Sequence, residues 1–134
     1  MTESIQRMLT ADVYAVVGAS RDPRKYGFLV YQSLKAAGKK VYAVNPQAQT
    51  VDADPCYPSL EALPQTPQVV VMVVPPGVTE AAVTECARGG ITQIWMQPGA
   101  ESAAAVSACR NSGIDVVWGG PCIMVGLKTL RFAP

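Results

Sequence analysis

Five short apolar runs, each rich in valine or isoleucine, constrain the fold of this chain more than any other feature. The most complete run covers residues 69–74 and contains no polar side chain. A strand without a polar face is covered on both sides, which is typical of parallel rather than one-sided antiparallel sheets. The five predicted strands cover residues 13–17, 40–44, 69–74, 91–95 and 114–118.

Segments with helical character separate these strands. In the first of them, Val30, Leu34 and Ala37 form an apolar stripe at helical spacing, and Gly38 follows as a C-cap. The two later segments are rich in alanine and stop beside glycine. The predicted helices cover residues 28–37, 79–88 and 100–111.

The segment from residue 47 to residue 67 carries four prolines, so it is predicted to hold at most one short helical turn, near residues 59–63. The alternation of strand and helix predicts a single α/β domain over residues 1–134. We expect an open parallel sheet of five strands in the order 3-2-1-4-5, with helices on both faces. Ligands of such sheets bind at the carboxyl ends of the strands, here at a switch point between the first and fourth strands.

Charge and residue content exclude several functions. Eleven Lys and Arg balance ten Asp and Glu, which leaves no electrostatic footprint for nucleic acid. The chain has no histidine, so Ser-His-Asp and Cys-His nucleophiles are excluded and the commonest metal ligand is missing. The four cysteines are far apart in sequence and form no CxxC pair, which predicts neither a metal site nor a disulfide framework.

The ends of the chain and its apolar runs also bear on location. Residues 1–8 are polar and show no basic run before an apolar core, so no signal peptide is predicted. The longest apolar run is too short to span a bilayer. We therefore expect a soluble cytoplasmic domain that does not bind membranes, with apolar residues near the C-terminal tail that would suit a homodimer if they are exposed.

The first predicted strand runs into a glycine-rich, basic loop from Gly18 to Gly27, followed by a helix. Free N–H groups at a helix start and the helix dipole together favour an anion such as phosphate. The Ser20 hydroxyl and the cations Arg21, Arg24 and Lys25 would add to this site. The alternative is an ordinary βα turn whose basic residues are solvated, since the loop matches neither the GxGxxG nor the P-loop pattern.

The ends of the later strands are also unusual. A dinucleotide-binding domain would place an acidic residue after the second strand, where this chain has Asn45 and Pro46. This weakens the case for NAD and leaves NADP or another nucleotide open. Proline and glycine follow the third and fourth strands, in Val74-Pro75-Pro76-Gly77 and Gln97-Pro98-Gly99, where a ligand could approach or a simple turn could form.

In this order, the segments Val16–Ser20, Lys25–Gly27, Val41–Pro46, Val74–Pro76, Trp95–Gly99 and Cys122–Val125 resemble the small single-domain CoA-binding protein family. That family is related to the CoA-binding domains of succinyl-CoA synthetase alpha subunits and of nucleotide-diphosphate-forming acyl-CoA synthetases. The resemblance covers residues 9–127 and implies a Rossmann-like fold that binds coenzyme A at the strand ends.

The resemblance implies that the loop after the first strand binds phosphate and that the residues after the second strand lie near the nucleotide. It implies that the residues after the third strand pack on the nucleotide and pantetheine, and that the loop after the fourth strand also belongs to the site. No metal ligand and no catalytic residue is implied. The residues expected to contact coenzyme A or an acyl-CoA are Gly18, Ala19, Ser20, Arg21, Lys25, Tyr26, Asn45, Pro46, Val74, Pro75, Pro76, Met96, Gln97 and Gly99.

Other polar and aromatic side chains are given structural roles. Cys122 is expected to be a small buried hydrophobe rather than a reactive thiol, although residues 118–121 before it depart from the charged residues of many relatives. Trp95 and Trp118 are expected in the core or at a sheet edge. Asp22 is expected to cap the helix or the loop rather than act as a general base.

The larger relatives make acyl-CoA through a phosphohistidine carried in a following domain, and this chain has no histidine. The resemblance therefore implies ligand binding without catalysis. Two alternatives stay open: an NAD(P)-dependent enzyme, and an interaction module with a vestigial nucleotide pocket. The acyl group and the partner protein are not predicted.

Overall fold

Seven strands and five helices make up the computed structural model, which describes residues 2–131. The elements alternate for most of the chain, as the apolar runs predict. In chain order they are α1 (Thr2–Leu9), β1 (Val13–Val17), α2 (Tyr26–Ala36), β2 (Lys40–Val44), β3 (Thr50–Val51), β4 (Asp54–Tyr57), β5 (Val69–Met72), α3 (Pro76–Arg88), β6 (Gln93–Met96), α4 (Ala103–Asn111), β7 (Asp115–Val117) and α5 (Ile123–Arg131).

The strands form one sheet in the order β3-β4-β2-β1-β5-β6-β7. Every neighbouring pair is parallel except β3 and β4, which are antiparallel. The prediction of an α/β fold built on a parallel sheet is therefore confirmed. The predicted count of five strands is wrong, because β3 and β4 lie in the proline-rich segment.

The predicted strand order 3-2-1-4-5 is also wrong for the five apolar runs. The third run forms β5, which pairs with β1 through Val16 and Val71, while β4 takes the place beside β2. The switch point therefore lies between β1 and β5. When only the six parallel strands are counted, with β4 as the third, their order is 3-2-1-4-5-6, the Rossmann order.

The proline-rich segment can form strands because its prolines stand outside the pairing with β2. That pairing uses Cys56 and Tyr57, both after Pro55. A tight turn joins β3 to β4, with Asp52 and Ala53 at positive φ angles of 50° and 66°. Both φ angles are positive at the centre of a type I′ turn, which suits the twist of a two-residue hairpin.

An ionic cluster fastens this hairpin to α2. Lys35 Nζ lies 3.1 Å from Asp52 Oδ2 and 2.7 Å from Asp54 Oδ2, and the Tyr31 hydroxyl donates to Asp54 Oδ2 at 2.7 Å. Hydrogen bonds from Lys35 and Tyr31 lower the pKa of the Asp54 carboxyl. The cluster holds β4 beside β2 at the edge of the parallel sheet, where side-chain alternation alone would not identify a strand.

Helices cover both faces of the sheet, and the strands divide their side chains between them. Tyr14 and Val16 of β1 join the apolar cluster under α1, α2 and α5, whereas Ala15 and Val17 join the cluster under α3 and α4. Trp95 is fully buried in the first cluster, in agreement with its expected core role. No helix within residues 2–131 is long and apolar enough to cross a membrane.

The three predicted helices occur with shifted ends, at Tyr26–Ala36, Pro76–Arg88 and Ala103–Asn111, and two further helices are present. Helix α3 begins at Pro76 rather than at residue 79, because proline is well suited to the first helical position, so the prolines after β5 start a helix as well as ending a strand. Helices α1 and α5 were not predicted. Helix α5 buries Ile123 and Leu127 and leaves Val125 62% exposed. Homodimer formation and cytoplasmic location stay predictions.

Candidate functional site

A cleft of about 660 Å³ opens at the carboxyl edge of the sheet, where the loops after β1, β5 and β6 meet. Most of the predicted ligand residues line it. Those residues are Gly18, Ser20, Lys25, Tyr26, Asn45, Val74, Pro75, Gln97 and Gly99. The prediction did not include Gly27, Val73, Pro98, Ala100 and Cys122, which also line this first cleft. The predicted loop residues that line the cleft were identified by the glycine and proline that follow the strands.

A second cleft, of about 460 Å³, lies between α3 and the ends of β2 and β4. It shares Gly18, Asn45 and Val74 with the first cleft, so the two clefts adjoin at the switch point. Predicted Pro46 lies here. The sequence analysis did not anticipate this half, because β4 and the residues after it were not recognised as part of the sheet.

Two glycines bring the start of α2 against the end of β1. Gly18 has a φ of 95°, and a Cβ atom on it would lie 2.2 Å from the Val73 carbonyl oxygen. A Cβ atom on Gly27 would lie 2.0 Å from the Gly18 carbonyl oxygen. Real Cβ atoms do not approach backbone so closely, so both positions require glycine for the loop and helix to pack as they do.

The amino end of α2 is open towards the first cleft. Its N-cap residue, Lys25, makes no side-chain capping bond, and the N–H groups of Tyr26 and Gly27 have no hydrogen-bond acceptor within residues 2–131. Unpaired N–H groups and the helix dipole favour an anion at this position. The first cleft therefore offers the phosphate-binding geometry that the glycine-rich loop predicts.

The loop cations are not equivalent. Lys25 lines the first cleft, whereas Arg24 forms a bidentate pair with Asp22, with Nε to Oδ1 and Nη2 to Oδ2 both at 3.0 Å. Hydrogen bonds from the Arg24 side chain and backbone lower the pKa of the Asp22 carboxyl. Because Asp22 also accepts from the Arg24 N–H at 3.0 Å, it caps the loop as expected. Arg21 is exposed and lines neither cleft.

Asn45 connects the loops after β1 and β2. Its Nδ2 donates to the Ala19 carbonyl at 2.9 Å, and its Oδ1 accepts from the Gln47 N–H at 2.9 Å. Both ends of the side-chain amide are thus engaged by the protein itself. Ala19 and Met96 are fully buried and Pro76 is exposed, and none of these three predicted residues lines either cleft.

Gln97 joins β6 to the start of α5. Gln97 is only 5% exposed. Its Nε2 donates to Cys122 Sγ at 3.3 Å, and its Oε1 accepts from the Ile123 N–H at 2.8 Å. The Trp95 indole N–H donates to the Pro121 carbonyl at 3.2 Å and holds the same segment. These bonds set residues 121–123 along the far wall of the first cleft.

Cys122 is partly exposed and lines the cleft, so the expectation of a small buried hydrophobe is wrong for this residue. The reason is tertiary, because the bonds from Gln97 and Trp95 hold the segment at the cleft wall. Two other cysteines are buried, and burial raises the pKa of Cys86 to about 12 and that of Cys109 to about 11. Within residues 2–131 no group of His, Cys, Asp and Glu could hold a metal ion.

Comparison with known proteins identifies the family. Residues 12–128 match the model of a family described as a CoA binding domain. This chain belongs to the CoA-binding domain family. The match includes both clefts and all seven strands, so the predicted family resemblance is confirmed.

Relatives and solved structures agree with this assignment. The CoA-binding domain is 36% identical over 84 residues to acetate–CoA ligase (ADP-forming) I of Archaeoglobus fulgidus, which covers 63% of this chain and 12% of that enzyme. It superposes on a conserved hypothetical protein of Pyrococcus furiosus with a TM-score of 0.81 and 37% identity, over 85% of this chain and 97% of the other. A hypothetical protein of Pyrococcus horikoshii gives a TM-score of 0.91 at 29% identity, over 98% and 92% of the two chains.

Proposed function

We propose that this CoA-binding domain binds coenzyme A or an acyl-CoA along the carboxyl edge of its sheet, without catalysis of its own. The observation that carries the proposal is the pair of adjoining clefts at the switch point, with the open end of α2 and Lys25 at the first of them. The family match supports the choice of ligand. Coenzyme A has the matching parts: a nucleotide, a charged pyrophosphate and a long pantetheine arm.

Charge sets the direction of the ligand in the two clefts. The pyrophosphate belongs at the amino end of α2, beside Lys25, because N–H groups and a cation meet there. The second cleft contains the carboxylates Glu61 and Glu85 and one cation, Arg88, and has apolar walls that suit the adenine ring. The pantetheine arm then extends over Gln97 and Gly99 towards Cys122.

The alternative of a nicotinamide nucleotide is less well supported. A dinucleotide-binding domain places a carboxylate after the second strand to accept hydrogen bonds from the ribose hydroxyls. Here Asn45 occupies that place, and both ends of its amide already bond to the neighbouring loops. An amide has a single acceptor oxygen in place of the two carboxylate oxygens that would accept from the ribose hydroxyls, which weighs against NAD.

Calorimetric titration tests the binding proposal. We expect coenzyme A to bind at least about tenfold more tightly than NAD or NADP, since one well-placed charged hydrogen bond changes affinity by about that factor. Acetyl-CoA should bind comparably if the arm lies in the open first cleft. Equal or tighter binding of NAD would contradict the proposal, and absence of binding by all four ligands would favour a vestigial pocket.

The proposal of binding without catalysis rests on the side chains around the two clefts. The chain has no histidine to carry a phosphoryl group, and Cys122 therefore has no histidine partner to activate it. Its thiol accepts a hydrogen bond from the Gln97 amide at 3.3 Å, and an amide N–H cannot remove a proton. We infer that the thiol of bound coenzyme A is presented rather than transformed.

An activity assay tests this second part. The protein is incubated with coenzyme A, ATP or GTP, magnesium and short carboxylic acids, and acyl-CoA is measured by mass spectrometry. We expect no product above the control without protein. Product that disappears in Cys122→Ser or Ser20→Ala would contradict the proposal and identify a catalytic residue.

A further inference from the structure

Apolar residues line the second cleft, here termed the slot, on two sides. One wall comes from the ends of β2 and β4, through Val44, Pro46 and Pro58, and the other from Val74 and the first turns of α3. Apolar walls can bury the faces of a planar ring. The slot borders the first cleft at Gly18, so a ring bound in it would lie next to the cleft that holds the α2 amino end.

The polar groups of this slot include two carboxylates, those of Glu61 and Glu85, which accept hydrogen bonds. Arg88 donates, and Ser59 and Asn45 can do both. None of these carboxylates forms an ion pair within residues 2–131. An ionised carboxylate accepts hydrogen bonds and donates none, so this end of the slot favours a ring that carries an N–H donor.

Glu85 is the carboxylate that the structure holds in place. It is partly buried on α3, and its Oε1 accepts from the Leu60 N–H at 3.4 Å, which orients the group towards the segment after β4. Its Oε2 accepts no hydrogen bond within residues 2–131. Glu61, in contrast, is exposed and its carboxylate has no such orienting bond there.

We infer that Glu85 selects adenine, by accepting a hydrogen bond from the 6-amino group of the base through Oε2. This inference rests on the proposed function, since it concerns the nucleotide end of bound coenzyme A. A base with a carbonyl oxygen at position 6, such as hypoxanthine, places an acceptor against the carboxylate. The mismatch leaves two acceptors facing each other without a proton, which disfavours binding.

The test compares coenzyme A with its deaminated analogue, in which hypoxanthine replaces adenine, by calorimetric titration. We expect the wild-type protein to prefer coenzyme A by about tenfold, because Glu85 is only partly buried. Glu85→Gln should lose most of that preference, since the glutamine amide can donate to the 6-oxygen. The glutamine carbonyl can still accept from Leu60, so the variant keeps the orienting bond and should keep its melting temperature.

Glu80→Gln serves as the matched control, because Glu80 lies on the same helix, pairs with the Ser102 hydroxyl at 2.7 Å and lines neither cleft. It should retain the full preference for coenzyme A. Equal binding of the two ligands by wild-type protein would overturn the inference and leave the proposed function intact. If Glu85→Gln keeps the preference for coenzyme A over the deaminated analogue and Glu61→Gln loses it, the inference that Glu85 selects adenine is overturned. Binding of neither ligand would overturn both the inference and the proposed function.

Discussion

Replacing Gly27 with alanine is expected to lower the free energy of unfolding by about 3 kcal/mol or more, because the new methyl group cannot be accommodated. The added carbon would lie 2.0 Å from the Gly18 carbonyl oxygen and 3.2 Å from the Ser20 nitrogen. Both atoms belong to the backbone, so no side-chain rotation relieves the contact. The start of α2 must move away from β1, and the anion site must open with it.

Urea unfolding and a thermal scan measure this effect, and a loss of about 3 kcal/mol corresponds to a fall in Tm of about 10 °C. Gly77→Ala is the matched control, since a Cβ atom there meets no heavy atom within 4 Å and Gly77 lies inside helix α3. That variant should change stability by less than about 1 kcal/mol, in the stabilising direction that helix propensity favours. A Gly27→Ala protein as stable as the wild type would show that the loop and the helix do not approach as closely as described.

Replacing Lys25 with alanine is expected to weaken the binding of coenzyme A by about tenfold, which is the lower end of the range for a charged hydrogen bond because the residue is exposed. Lys25 is the loop cation that lines the first cleft, beside the free N–H groups of Tyr26 and Gly27. Titration calorimetry at two salt concentrations checks this. The affinity of the wild type should fall as salt rises, and that of the variant should fall less steeply.

Arg24→Ala separates a specific contact from general attraction. Arg24 carries the same charge one residue earlier, but it pairs with Asp22 and lines neither cleft. We expect the affinity of the Arg24→Ala variant for coenzyme A to stay within about twofold of that of the wild type, as is usual for a screened surface charge. Equal losses in the two variants would mean that the loop attracts the ligand only through its net charge.

Much of the fold could be predicted because each apolar run indicates a buried strand without reference to the rest of the chain. The strand at residues 69–72, for example, is buried on both faces and contains no polar side chain. The strands β3 and β4 could not be predicted in the same way. They are short, carry proline and aspartate, and depend on a hairpin turn and on the pairing of Asp52 and Asp54 with Lys35 of α2.

The same division applies to the candidate site. Glycine, proline and basic residues after predicted strands identified most of the first cleft, because chain breaks at strand ends are local features. Arg24 differs from Lys25 because it pairs with Asp22, two residues earlier, a local contact that the sequence analysis did not use. Nothing local marks Cys122 as a cleft residue, because the Gln97 amide that bonds to it follows β6, 25 residues earlier in the chain.

The sequence by itself determined that this chain forms a parallel α/β sheet with its glycine-rich loop after the first strand, since burial periodicity and turn chemistry are properties of neighbouring residues. It also determined the absence of histidine chemistry. Only the tertiary structure decided where β4 enters the sheet, and so where the switch point and the second cleft lie. Strand order depends on which distant segments pair with which edge, and the free energy of that choice comes from contacts between residues far apart in the chain.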